Sequence, residues 1–333
     1  TISPNDQALM VSAITISAFE YFDINKLTTL LDTYLSTEAD LVVRQRALVG
    51  FVLCLQHNID IYYPEQQALV QKLFEQVPNA AVELLTLQKQ IIFCIDVSND
   101  SEIISKEIIP NLIKNNPNIS ITPEGIKEKD DDALRDILDP DANEREMEEM
   151  EKTMEEMSSM MKNGADIYFT GFSQMKRFPF FSNISNWFRP FSPSHPLLRS
   201  IPDEILNSQM MATMREGMPF CESDKYSFAL TLTQTLYSMP ENIREIMLDG
   251  KMGLAGTGMD MLHSPLYIRR TYLQDLYRFY RLFPGLENNL IDFFSKDKLM
   301  RNNANGYTRT FFAASSLFCT TALRERYVDL IMF

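Results

Sequence analysis

Histidine, glycine and tryptophan are scarce in this chain, with three, eleven and one respectively among 333 residues. The histidines, His57, His195 and His263, lie far apart. There is no HExxH pair and no GxSxG, so little is available to activate a serine or cysteine nucleophile. Asp139-Pro140-Asp141-Ala142-Asn143 starts like a calcium loop, but Glu144 stands where glycine must turn the chain and Met150 where a bidentate glutamate must close it. No metal and no cofactor is expected. Gly250, Gly253, Gly256 and Gly258 cluster without GxGxxG or GxxxxGKS/T and without a preceding strand pattern, which reads as a connection between helices. The low glycine content also disfavours tight-turned β structure, so few or no strands are expected.

No run of about 18 uninterrupted apolar residues occurs, so no membrane-spanning helix is predicted. The start Thr1-Ile2-Ser3-Pro4 lacks the basic and apolar parts of a signal peptide. The missing initiator Met and the apolar end Leu330-Ile331-Met332-Phe333 suggest a fragment of a longer chain, which leaves a removed upstream signal open. Cys54, Cys94, Cys221 and Cys319 form no CxxC and lie on apolar-rich stretches. They read as buried thiols in a reducing compartment, and a cytoplasmic location is expected. The net charge of −14 is local, since residues 128–156 hold 14 acids against four bases. That stretch is no nucleic-acid surface.

What is abundant is helical pattern. From Ser3-Pro4, an N-cap followed by proline in the first turn, helices are predicted over 4–22, 26–36, 40–57, 64–77, 79–96 and 101–115. The second members start near Lys26, Pro64 and Ser101, a recurrence of helical pairs that stack to bury both faces. Within the array, Asp40, Val43-Arg44, Ala47 and Gly50-Phe51 follow the apolar helix around Leu30. This resembles the second helix of a HEAT repeat, whose small residues let neighbouring helices approach. The next unit departs from the pattern, with Val82-Glu83 where Val-Arg would stand.

Residues 116–142, with Pro117, Pro123, Pro140 and Asp130-Asp131-Asp132, read as a linker or insertion. A helix follows in which Met147, Met150, Met154, Met157 and Met161 form one stripe opposite glutamates. Such a stripe rests on its own protein or offers an adaptable docking surface. Tyr168 to Phe191 is dense in rings, and Pro179 and Pro190 forbid one continuous helix. The energy of burying Trp187 and its neighbours favours a seal between subdomains over an exposed ligand-stacking segment.

Helices are predicted again over 203–216, 224–238, 241–249, 265–283, 286–296 and 307–331. In the one after Ser264-Pro265, Arg269, Arg270, Arg278 and Arg281 decorate an apolar side that includes Tyr272, Leu276 and Phe279. The spacing Tyr272, Leu276, Phe279, Pro284 resembles the second helix of a tetratricopeptide repeat, although large rings replace that motif's small residues. The chain as a whole is similar in general pattern to the region preceding the repeats in tetratricopeptide-repeat proteins of the Bacteroidetes, a resemblance that implies no particular chemistry.

The fold class expected is all-α: a HEAT-like helical-hairpin solenoid over 1–115, an acidic linker and Met-rich helix over 116–164, and an aromatic junction with a second helical bundle over 165–333. The expected function is a non-enzymatic scaffold that binds a protein or peptide. Arg269, Arg270, Arg278, Arg281, Trp187 and Arg189 are the candidate partner-binding residues. The alternative is an enzyme with a dispersed site near the 250–270 glycine-rich connection, where Lys251, Asp260 and Arg269 are near His263 in sequence, and it requires His263 and a carboxylate to converge in a pocket. Nucleic-acid binding would need the four arginines of the 265–283 helix on one exposed surface.

Overall fold

The computed structural model describes residues 2–55, 63–114, 119–122, 125–128, 142–162, 165–237, 241–248 and 263–283, and they are predominantly helical. The glycine cluster at 250–258, His57, Cys319 and the helices predicted beyond 284 lie outside the described residues. Among the described residues no helix is long and apolar enough to cross a membrane. They form two units, each described by itself.

The first unit holds the described parts of 1–91 and of 172–333. It begins with α1 (Pro4–Glu20), α2 (Ile24–Leu35), α3 (Leu41–Cys54), α4 (Glu65–Gln76) and the start of α5 (Ala80–Ile103). Local chemistry sets the boundaries: Ser3 Oγ accepts the Asp6 N–H at 3.2 Å, Pro4 opens the first turn, and Asp40 Oδ1 accepts the Val42 N–H at 2.8 Å. Both α1 and α2 pack on α3, and α4 packs on α2. Arg44 Nε ties α3 to the end of α2 by donating to the Tyr34 carbonyl at 2.9 Å. A Cβ at Gly50 would collide with the Thr15 hydroxyl, so glycine is what lets α3 approach α1.

After 172 the unit continues through a 3₁₀ turn (Pro179–Ser182), α9 (Ser185–Phe188), a second 3₁₀ turn (Pro196–Leu198), α10 (Asp203–Leu206), α11 (Gln209–Gly217), α12 (Glu222–Tyr237), α13 (Glu241–Leu248) and α14 (Pro265–Leu282). The prolines break the aromatic segment into short turns, and Trp187 is fully buried, its indole N–H donating to the Phe181 carbonyl at 2.9 Å. Its ring meets Phe181 and Phe279 edge-on at 5.1 and 5.8 Å, which joins α9 to α14.

The sequence-based division at 115 and 165 differs from these units, and α3 explains why. It is buried along almost its whole length, and once α1 and α2 have covered part of it, α14 packs on the remainder. The later segment thus completes the core of the earlier one.

The second unit comprises residues 92–171. The break predicted between 96 and 101 is absent: α5 runs to Ile103, a π-helical stretch covers Ile104–Ile108, and α6 spans Ile109–Lys114. The wide turn falls just before Pro110, whose ring clashes with a regular preceding turn. Strands β1 (Ile119–Thr122) and β2 (Gly125–Glu128) pair antiparallel with Ile121 opposite Ile126, a hairpin inside the stretch read as linker. Helix α7 (Ala142–Lys162) packs on α6, and α8 (Phe169–Met175) begins in this unit. The methionine stripe divides: Thr153 is buried and Met150 and Met157 half-buried, while Met147 and Met154 are exposed.

Candidate functional site

Helix α14 looks amphipathic in sequence, yet Thr271 to Tyr280 are buried without interruption. That requires its charges to be answered by other elements. Arg278 Nη2 lies 2.8 Å from Asp224 Oδ2, and Lys176 Nζ lies 2.9 Å from Asp224 Oδ1, all three side chains being about 1% exposed. Lys176 also donates to Ser223 Oγ at 2.8 Å and Ser227 Oγ at 3.1 Å, and sits 4.5 Å from the Phe181 ring centre. Asp275 accepts from the backbone N–H groups of Glu222 and Ser223 at 3.3 and 2.9 Å, so α14 caps the N-terminus of α12. Burial pushes the Asp275 carboxyl upward, opposed by Arg46 and the Ser223 N–H.

Helices α12 and α14 also help to line a recess of about 160 Å³. Its cations are Arg46 of α3, Arg215 at the end of α11 and Lys225 of α12, and its carboxylate is Glu222. His263 stands beside Tyr267 and Thr271, and Val42, Met218 and Ile268 supply apolar wall. Arg46 is 1% exposed, donates through Nη1 to Ser12 Oγ and the Phe188 carbonyl, and stacks its guanidinium 4.8 Å from the Tyr272 ring centre. Neither Arg46 nor Arg215 forms a salt bridge among the described residues, and the buried Nε of Arg215 has no hydrogen-bond partner there. Arg46 acts at longer range on Asp275 and Glu222, whereas the buried Nε of Arg215 is unanswered among the described residues, which is costly, and an anion at the recess would offset that cost.

Glu222 is already committed. Its oxygens accept from Lys225 Nζ, at 2.7 Å, and from the Phe191 N–H. Burial raises its pKa, but Lys225, the Phe191 N–H and Arg46 outweigh it and hold the carboxyl below its ordinary range. The Cys54 and Cys221 thiols are poor nucleophiles, because burial pushes both well upward.

Of the candidate partner-binding residues, three prove to be interior. Trp187 and Arg278 are enclosed, and Arg269 is 4% exposed, with Nη1 3.0 Å from Glu83 Oε2, an oxygen that also accepts from the Tyr34 hydroxyl. The continuous basic surface needed for nucleic-acid binding is therefore not formed, because carboxylates from other helices draw Arg269 and Arg278 inward. Arg270 and Arg281 are half-buried, the latter 5.7 Å from the Tyr277 ring centre, and Arg189 pairs with Asp6 at 3.1 Å. His263 and a carboxylate, Glu222, do line one recess, whereas Lys251 and Asp260 lie outside the described residues. Sequence reasoning missed Arg46, Arg215, Glu222 and Lys225. Only Arg46 carried a signal, as a charge immediately before the uncharged run from Ala47 to Cys54. No protein-family model matches the chain, and neither the curated proteins nor the solved structures compared with it include one similar to it.

Proposed function

We propose that this chain is a non-enzymatic scaffold of stacked, HEAT-like helix pairs that binds a protein or peptide through an acidic group. The observation that carries the reading is the recess lined by Arg46 and Arg215, neither of which forms a salt bridge among the described residues. Its volume of about 160 Å³ is below the roughly 300 to 1,000 Å³ of drug-sized ligand sites, so it suits one anionic group of a larger partner. The HEAT-like part is supported by the Asp40 cap, the Arg44 tie between α2 and α3 and the close approach at Gly50. A cytoplasmic setting belongs to the same proposal, supported by buried Cys54 and Cys221 thiols. Fluorescence anisotropy with labelled peptides tests it. Acidic peptides should bind and weaken as salt rises, basic ones should not, and equal or absent binding of both would overturn the reading.

The alternative, an enzyme centred near the 250–270 connection, draws on His263 and Glu222 lining the same recess. Against it, Lys225 and the Phe191 N–H hold both Glu222 oxygens, so this carboxylate is not poised as a base. Turnover of a model ester that is lost in His263→Ala would favour the enzyme.

A further inference from the structure

We infer that the group the recess takes is a carboxylate joined to a short apolar side chain, as at the C-terminal residue of a peptide or in a free acid of that shape. This rests on the binding reading above and adds the ligand's chemistry. Arg46 is enclosed, has one guanidinium nitrogen bonded to neutral oxygens and forms no salt bridge among the described residues, acting on Glu222 and Asp275 only at longer range; Arg215 brings a second guanidinium, whose buried Nε has no hydrogen-bond partner there. A planar fork of N–H donors matches a carboxylate in two-point fashion. Val42, Met218 and Ile268 share the same wall, so a bare inorganic anion would leave apolar surface wet, whereas an acid carrying a few methyl groups covers it. A volume of about 160 Å³ admits little more than one such residue.

Lys225 is discounted as a main donor because Glu222 holds it at 2.7 Å. His263, exposed at the side of the recess, is in place to donate to the incoming carboxylate. The wall thus carries both cationic and apolar side chains, and the ligand should be amphiphilic in the same sense.

The test uses three probes on the full chain: a peptide of about twelve residues ending in a free leucine, the same peptide as its C-terminal amide, and N-acetyl-leucine as competitor. The free acid should bind at least about tenfold more tightly than the amide, and N-acetyl-leucine should displace it. Arg215→Gln, on the less buried of the two arginines, should erase that difference while the thermal midpoint stays put; Arg46→Gln is the second variant, read only if it folds. Equal binding of acid and amide would overturn this inference and leave the peptide-binding reading standing. If neither peptide binds but N-acetyl-leucine does, the carboxylate chemistry holds with a free acid as its source, and the scaffold reading fails. Displacement by inorganic phosphate as effective as that by N-acetyl-leucine would overturn the carboxylate assignment.

Discussion

Two helices of this molecule are rich in charge and apolar at three- and four-residue spacing, yet they meet opposite fates. In α14 ten consecutive residues, Thr271 to Tyr280, are buried, Asp275 and Arg278 included, and Arg269 is buried just ahead of them. In α7 the glutamates from Glu148 to Glu156 are exposed, and Met154 is 51% exposed beside them. Charge content did not decide this. The charges of α14 are answered by Glu83, Asp224 and the N-terminus of α12, so that helix can be interior at tolerable cost. The acids of α7 have only two bases among them, Arg145 and Lys152, and their remaining solvation comes from water.

The largest effect expected from this contrast is at Asp224. Asp224→Asn removes the one carboxylate that Lys176 and Arg278 share, taking their common counter-charge from two buried cations, and should destabilise the first unit by about 3 to 5 kcal/mol. Urea unfolding followed by Trp187 fluorescence reads it, since the sole tryptophan sits within 5.6 Å of Lys176. A loss below about 1 kcal/mol would mean that the interior charges of α14 need no answer, and the comparison would break.

A smaller, pH-dependent effect is expected at His195. Burial holds its imidazole below the ordinary histidine value, with Arg189 adding to the depression, and its Nδ1 accepts the Leu197 N–H at 3.2 Å. The unfolded chain therefore takes up the proton first. Stability should fall as pH drops from about 6.5 toward the depressed folded value, and be unaffected by this group above that window. His195→Gln should flatten that part of the stability profile measured between about pH 5 and 8, and an unchanged slope would show that the site is solvated enough to protonate without loss.

Much of the local structure was legible in sequence because its causes are local. Ser3-Pro4, Asp40 and Ser264-Pro265 start helices through bonds that span two or three residues, and the prolines after Phe178 cut the aromatic segment into turns. The pairs that bury α14 were not legible, since Arg269 finds Glu83 at a separation of 186 residues and nothing in either segment marks the other. The recess failed to show for the same reason, being built from α3, α11, α12 and α14. The hairpin at Ile119–Glu128 did leave a trace in the alternation Ile119-Ser120-Ile121-Thr122, outweighed by the charge and proline around it.

The smallest effect is expected in α7. A stripe read from sequence makes Met147, Met150, Met154, Met157 and Met161 equivalent, whereas α7 turns Thr153, Met150 and Met157 toward its unit and leaves Met154 half in water. Truncating a buried methionine typically costs about 2 to 5 kcal/mol, while polar substitution at an exposed site falls within about 0.5 kcal/mol. Met154→Gln is therefore expected to be nearly neutral, and Thr153→Asp, which forces a charge against the packed face, to cost clearly more. Trp187 lies in the first unit, so its fluorescence is a poor reporter of this helix, and hydrogen exchange of the α7 amides is the better measurement. Unchanged protection in Met154→Gln together with faster exchange in Thr153→Asp is the expected result. Equal losses would mean that the exposed methionines are covered in solution, and α7 would then join α14 as a helix whose surroundings, not its composition, set its burial.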